Sequence, residues 1–150
     1  MIASPENGGV NMLKIAESVE NYLETILVLG KDENPVRSID VANKLGFSKP
    51  SVSVAMKNLR QSGYITVDGQ GYINLTSSGK SVAQKVYDRH TLISGWLISL
   101  GVDKQTATDD ACKMEHGMSE ASFVAIKNHI DEWQGVKSRV EALKKMRGGD

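Results

Sequence analysis

Three residues within five positions carry the side chains that transition metals prefer: Cys112, Glu115 and His116. Spacings of three and four from Cys112 put a thiol, a carboxyl and an imidazole on one face of a helix. That face borders the apolar stripe Ala107, Ala111, Met114 and Met118. Thiolate, carboxylate and imidazole form a plausible metal platform, and a thiolate favours iron(II) or zinc(II) over manganese(II). A plainer reading stands beside it, since cysteine often serves as a small buried hydrophobe. Cys112 is the only cysteine, so the chain has no internal disulfide. His90 falls on an inward helical stripe, where a hydrogen-bonded core histidine is the commoner role.

These residues need helices to hold them, and the hydrophobic periodicity supplies them. Ile15, Val19, Tyr22, Leu23 and Ile26 predict a first helix over about 11–30. Asn34-Pro35 ends a turn. Ser38 is the expected N-cap of a short helix over 39–45, stopped by Gly46, and Ser48 caps a third helix with Pro50 in its first turn. Two β-rich runs, 64–67 and 72–75, flank Asp68-Gly69-Gln70-Gly71 and predict a hairpin. Long helices follow over 76–100 and 103–117. Ser119 caps a helix bearing Phe123, Ile126, Ile130 and Trp133 on one face, and a separate basic amphipathic helix is expected over 136–147.

The chain has 18 basic and 18 acidic residues, yet they are segregated. Residues 37–80 hold six basic side chains against Asp40 and Asp68, a net of +4, while 1–36 and 103–134 each carry −4. The basic block coincides with a helix-turn-helix whose Ala42, Gly46 and Val52 allow close approach, a tight turn and inward packing. With the hairpin it makes a winged helix. Arg37, Ser38, Ser48, Lys49, Pro50, Ser51, Ser53, Lys57 and Arg60 are the expected DNA-contacting residues. No Asn or Gln faces outward in the first two turns of the third helix, so reading of DNA shape is expected to matter. The wing has no Lys or Arg at its tip.

The run Asp110-Ala111-Cys112-Lys113-Met114-Glu115-His116-Gly117-Met118-Ser119, with Asp88-Arg89-His90 and Ser18-Val19-Glu20-Asn21-Tyr22-Leu23-Glu24 upstream, resembles the diphtheria toxin repressor and manganese transport regulator family over about residues 12–134. The resemblance implies a mainly α protein: a winged helix-turn-helix DNA-binding domain over 1–75 and an all-helical metal-binding and dimerisation domain over 76–150. It implies a homodimeric, metal-activated repressor of metal-uptake genes. It also implies metal ligands at Asn21, Glu24, His90, Cys112, Glu115 and His116. The set is a hybrid. Asn21 stands where iron-type members carry Met and manganese-type members Asp; Glu24 matches the manganese type and Cys112 the iron type. Ser94 and Thr108 replace the carboxylate and imidazole of the iron-type ancillary site.

The expected cofactor is a divalent transition metal, iron(II) first, manganese(II) second and zinc(II) third. The expected partners are a palindromic double-stranded operator and a second copy of the chain, with Phe123, Ile126, Ile130 and Trp133 as the dimer face. No apolar run approaches the ~20 residues of a membrane span, and the start lacks the pattern of a secretory signal, so a cytoplasmic location is expected. A metal-independent winged-helix regulator of a small organic ligand is the alternative. A hydrolase is disfavoured, since no nucleophile has a paired base.

Overall fold

The computed structural model describes the backbone of residues 6–148 and the side chains of residues 18–148. Ile15, expected on the inner face of the first helix, lies outside the described side chains. Among the described residues there are six α-helices and one two-stranded sheet: α1 (Glu6–Leu29), α2 (Ser38–Leu45), α3 (Lys49–Gln61), β1 (Ile65–Val67), β2 (Ile73–Leu75), α4 (Ser77–Ser99), α5 (Lys104–Gly117) and α6 (Glu120–Arg147). The chain forms two compact units, dividing within α4 between Asp88 and Arg89.

The first unit is a winged helix. Its core gathers Leu23 and Ile26 from α1, Val41 and Ala42 from α2, Val52, Met56 and Leu59 from α3, Ile65 and Ile73 from the wing, and Ala83 from α4. The wing is antiparallel, with Thr66 opposite Asn74 and Asp68 N–H donating to Tyr72 O at 3.0 Å across the loop. Gly46 ends α2 at φ +69°, a left-handed conformation open to glycine at little cost, and so turns the chain into α3. Ser48 caps α3 as expected, its hydroxyl oxygen accepting the Ser51 N–H at 3.3 Å.

Several boundaries differ from the sequence expectations. Ser38 is the first helical residue of α2 rather than its cap; Arg37 is the cap residue, and the Asp40 carboxylate accepts the Arg37 N–H at 2.9 Å. A local serine signal was outweighed by that reciprocal acid three positions on. The expected break before residue 136 is absent, and α6 runs unbroken through Gly135, whose cost of about 1 kcal/mol in a helix interior the flanking residues carry. The hairpin strands are each one residue shorter than expected, and the 31–35 turn contains a 3-10 turn with Asp32 and Glu33 at positive φ.

Gly79 joins the wing to α4. Thr76 N–H donates to Tyr64 O at 3.0 Å, Thr76 Oγ1 donates to Gly63 O at 2.6 Å, and the Gly79 N–H donates to Thr76 Oγ1 at 3.1 Å. A Cβ at Gly79 would lie 2.0 Å from Tyr64 O. The obstacle is backbone tied into the wing, so it cannot swing away. Gly79→Ala is therefore expected to destabilise the protein by about 1–3 kcal/mol through overpacking, read as a fall of several degrees in Tm; an unchanged Tm would show that the α4–wing junction yields without cost.

The second unit packs the C-terminal half of α4 with α5 and α6, burying Ile93, Ala107, Ala111 and Ile130. Asp103 caps α5 by accepting the Thr106 N–H at 3.0 Å, which holds its carboxyl below the usual range. Arg89 ties α4 to α6: it pairs with Glu120, and its guanidinium carbon lies 4.6 Å from the centre of the Phe123 ring. No helix among the described residues is long and apolar enough to cross a membrane.

Candidate DNA-binding surface and metal centre

In the first unit, Val52, Met56 and Leu59 anchor α3 inward at helical spacing, which turns Lys49, Pro50, Ser51, Ser53, Lys57 and Arg60 to solvent. Ser38, Ser53, Lys57 and Arg60 converge on one cleft of about 270 Å³ floored by Met56 and Val67. Two cations and two hydroxyls around an open depression suit a phosphodiester, with α2 presenting its N-terminal end beside it. Arg37 stands exposed next to Ser38. Ser48 and Ser51 are joined by a hydroxyl–hydroxyl bond of 2.8 Å, so the α3 N-terminus already has its cap before any DNA arrives.

In the second unit, Glu115 is the only charged residue among the described ones that is buried, at 5% exposure. Taking a carboxylate out of water costs several kcal/mol unless a cation or hydrogen bonds compensate. Its neighbours are suited to supply that compensation through a metal. Glu115 and His116 offer donor atoms within 4.8 Å of one another, and half-buried Cys112 lies one turn earlier on α5. His90 Nε2 lies 3.1 Å from Thr108 O, one turn before Cys112. A carbonyl only accepts, so Nε2 carries a proton; in the neutral ring Nδ1 then holds the lone pair, which is how a backbone partner fixes the tautomer of a metal-binding histidine. These donors fit a divalent transition metal.

Asn21 and Glu24 are half-buried on α1 of the first unit, where the main-chain carbonyl of Asn21 accepts the Thr25 hydroxyl at 2.7 Å. Ser94 and Thr108 donate their hydroxyls to carbonyls of their own helices, at Thr91 and Lys104. Neither replaces a charged ligand.

The residues expected on the dimer face have three fates. Ile130 is buried in its own unit, Phe123 lies under Arg89, and Trp133 is 64% exposed; Ile126 is half-buried. Trp133 borders a cleft of about 510 Å³ with Trp96, Leu100, His129 and Lys137. Tyr72 and Arg89 were missed by sequence reasoning. Their partners lie 35 and 34 positions away, beyond any helical or strand period, although Arg89 sits in the Asp88-Arg89-His90 motif.

A basic winged helix joined in one chain to a helical unit that buries a carboxylate beside an imidazole, with a thiol one turn earlier on the same helix, defines a metal-responsive DNA-binding regulator. Residues 14–72 match the family model for the iron-dependent repressor N-terminal DNA-binding domain, and residues 76–134 match the model for its metal-binding and dimerisation domain. The chain is 33% identical over 111 residues to the transcriptional regulator MntR of Escherichia coli O6:H1, covering 74% of this chain and 72% of that one. It is 31% identical over 122 residues to an HTH-type transcriptional regulator of Methanocaldococcus jannaschii, covering 80% of this chain and 98% of that one. Among solved structures it is similar to the metal-dependent transcriptional regulator MtsR (29% identity, TM-score 0.69) and to the manganese regulator SloR (25% identity, TM-score 0.67). It covers 75% of its own length and 53% of theirs in both cases. The chain belongs to the diphtheria toxin repressor and manganese transport regulator (DtxR/MntR) family. It is a metal-activated, DNA-binding transcriptional repressor, with DNA and a second copy of the chain as partners.

Proposed function

We propose that this repressor senses iron(II), with manganese(II) second and zinc(II) third, and controls genes of metal uptake from the cytoplasm. Residues 1–75 serve as the DNA-binding domain and 76–150 as the metal-binding and dimerisation domain. The observation that carries the reading is the buried carboxylate of Glu115 on the helix face that also bears Cys112 and His116. The proposed ligands are Asn21, Glu24, His90, Cys112, Glu115 and His116. A bound divalent cation supplies the positive charge that offsets the buried carboxylate.

The chain's residues do the rest. Glu115 and His116 fix two donors on a rigid helix, Thr108 orients the His90 ring, and Asn21 and Glu24 make the DNA-binding domain part of the same ligand set. Ligands drawn from both domains couple cation binding to the placement of α3, and the same coupling lets DNA tighten the cation. In a symmetric dimer, two α3 helices about 34 Å apart reach successive major grooves, so the operator is palindromic. Trp133 and the cleft beside it belong to the proposed dimer face, with Ile126, Phe123 and Ile130 behind it.

Iron(II) ranks first because Cys112 is a softer donor than carboxylate. Manganese(II) stays second because one of the similar solved structures named above, SloR, is a manganese regulator. Anaerobic titration of the chain with each ion separately, with stoichiometry read by elemental analysis, tests the order. Tighter binding of iron(II) than manganese(II), weakened on Cys112→Ala, is expected. Manganese(II) binding that is tighter, and indifferent to Cys112→Ala, would reverse the order.

A further inference from the structure

The wing has Asp68 at its loop and no basic residue between β1 and β2, yet it touches the DNA-binding face through Arg37. The Arg37 guanidinium carbon lies 4.5 Å from the centre of the Tyr72 ring. Both ends of that contact are held by backbone. Ile73 N–H donates to Val36 O at 2.7 Å, which lays the segment entering α2 along β2. Arg37 N–H donates to the Asp40 carboxylate at 2.9 Å. Arg37 precedes Ser38, whose side chain lines the cleft of Lys57 and Arg60.

We infer that Tyr72 is a positioning residue for DNA binding: it stacks the Arg37 guanidinium so that its N–H edge meets a backbone phosphate beside the Ser38–Lys57–Arg60 cleft. A guanidinium lying on a ring keeps its in-plane donors available for bidentate phosphate contact. Without the ring, a long exposed arginine samples many rotamers and must be ordered when DNA arrives. The wing therefore contributes to affinity indirectly, by preorganising a residue of α2's N-terminus. The ring face does this, so the Tyr72 hydroxyl is dispensable. The inference rests on the DNA-binding reading.

Fluorescence anisotropy of the full-length, metal-loaded chain on a DNA fragment selected for wild-type binding, repeated across salt concentrations, tests it. Tyr72→Phe is expected to bind as wild type. Tyr72→Leu is expected to weaken binding roughly 2- to 5-fold per protomer, the range of an exposed cation–π contact, with its salt slope kept because the charge remains. Arg37→Gln is expected to lower the slope by about 0.9 per protomer. In the Arg37→Gln background, Tyr72→Leu should cost nothing more. Equal costs of Tyr72→Leu in both backgrounds, or unchanged or tighter binding by Tyr72→Leu alone, would overturn the positioning role. Failure of the wild type to bind DNA with metal would instead remove the DNA-binding reading and this inference together. Thermal melting of each variant separates loss of fold from loss of contact.

Discussion

Glu115→Gln is expected to abolish the response to metal while leaving the fold intact. Gln fills nearly the same volume and keeps a hydrogen-bonding oxygen, so the buried face of α5 remains packed. It removes the one buried negative charge among the described residues. Opposite unit charges 4 Å apart interact by about 4 kcal/mol at an effective dielectric near 20. Loss of an anionic ligand to a divalent cation therefore costs on the order of 10²-fold or more in affinity. At a free-metal concentration 100 times the wild-type Kd, binding stabilises the wild type by about 2.7 kcal/mol, whereas a variant 100-fold weaker gains about 0.4 kcal/mol. Melting curves with and without metal read this directly. A variant that keeps the full metal-induced rise in Tm would place the cation elsewhere.

The second large effect is on DNA. Lys57→Gln together with Arg60→Gln removes both cations from the Ser38–Ser53 cleft. Each phosphate contact adds about 0.9 to the slope of log affinity against log salt, so a dimer losing four contacts is expected to lose about 3.6. Extrapolated from 1 M salt to physiological ionic strength, that slope corresponds to about a 10³-fold weakening, an upper bound because neighbouring cations partly compensate. The loss should be similar on unrelated DNA sequences, since phosphate carries no base identity. An unchanged slope would show that Lys57 and Arg60 do not meet the backbone. Both residues project into solvent, which makes the predicted loss one of contact rather than of fold.

Much of this was legible in residue spacing, and the rest depended on contacts that spacing does not encode. Val52, Met56 and Leu59 recur at helical intervals and are buried, so the outward set on α3 followed from the sequence. Gly46 marked the turn between α2 and α3 because few other residues tolerate a positive φ there. Ser38 misled, since a serine before an apolar run is a good cap signal, yet Asp40 closes the turn on Arg37 instead. The α6 break was misplaced because Gly135 reads as a terminator locally but sits within a long helix whose neighbours sustain it. Cys112, Glu115 and His116 were visible as a helical face. That Glu115 is the buried one, and that Thr108 O sets the His90 tautomer, are tertiary facts. The contact of Arg89 with the Phe123 ring, 34 residues later, is likewise one that spacing does not encode.

The segregated charge bears on the same switch. The +4 of residues 37–80 includes Arg37, Lys49, Lys57 and Arg60, all exposed on the winged helix, while Glu24 and Glu115 belong to the acidic blocks on either side. On the proposed ligand set, a bound cation would neutralise part of that acidity and lessen repulsion of DNA phosphates. Raising the competent form from 1% to 99% takes about 5.5 kcal/mol of differential affinity, which sets the scale the cation has to supply.

The central claim is that a divalent cation switches DNA binding on. Its most direct test is anaerobic binding of the full chain to a DNA fragment selected from random sequence in the presence of iron(II), measured with the ion present and again after chelation. The expected result is at least 100-fold tighter binding with the ion, reversed by the chelator and restored by added iron(II) or manganese(II). Equal affinity in the two states would contradict it.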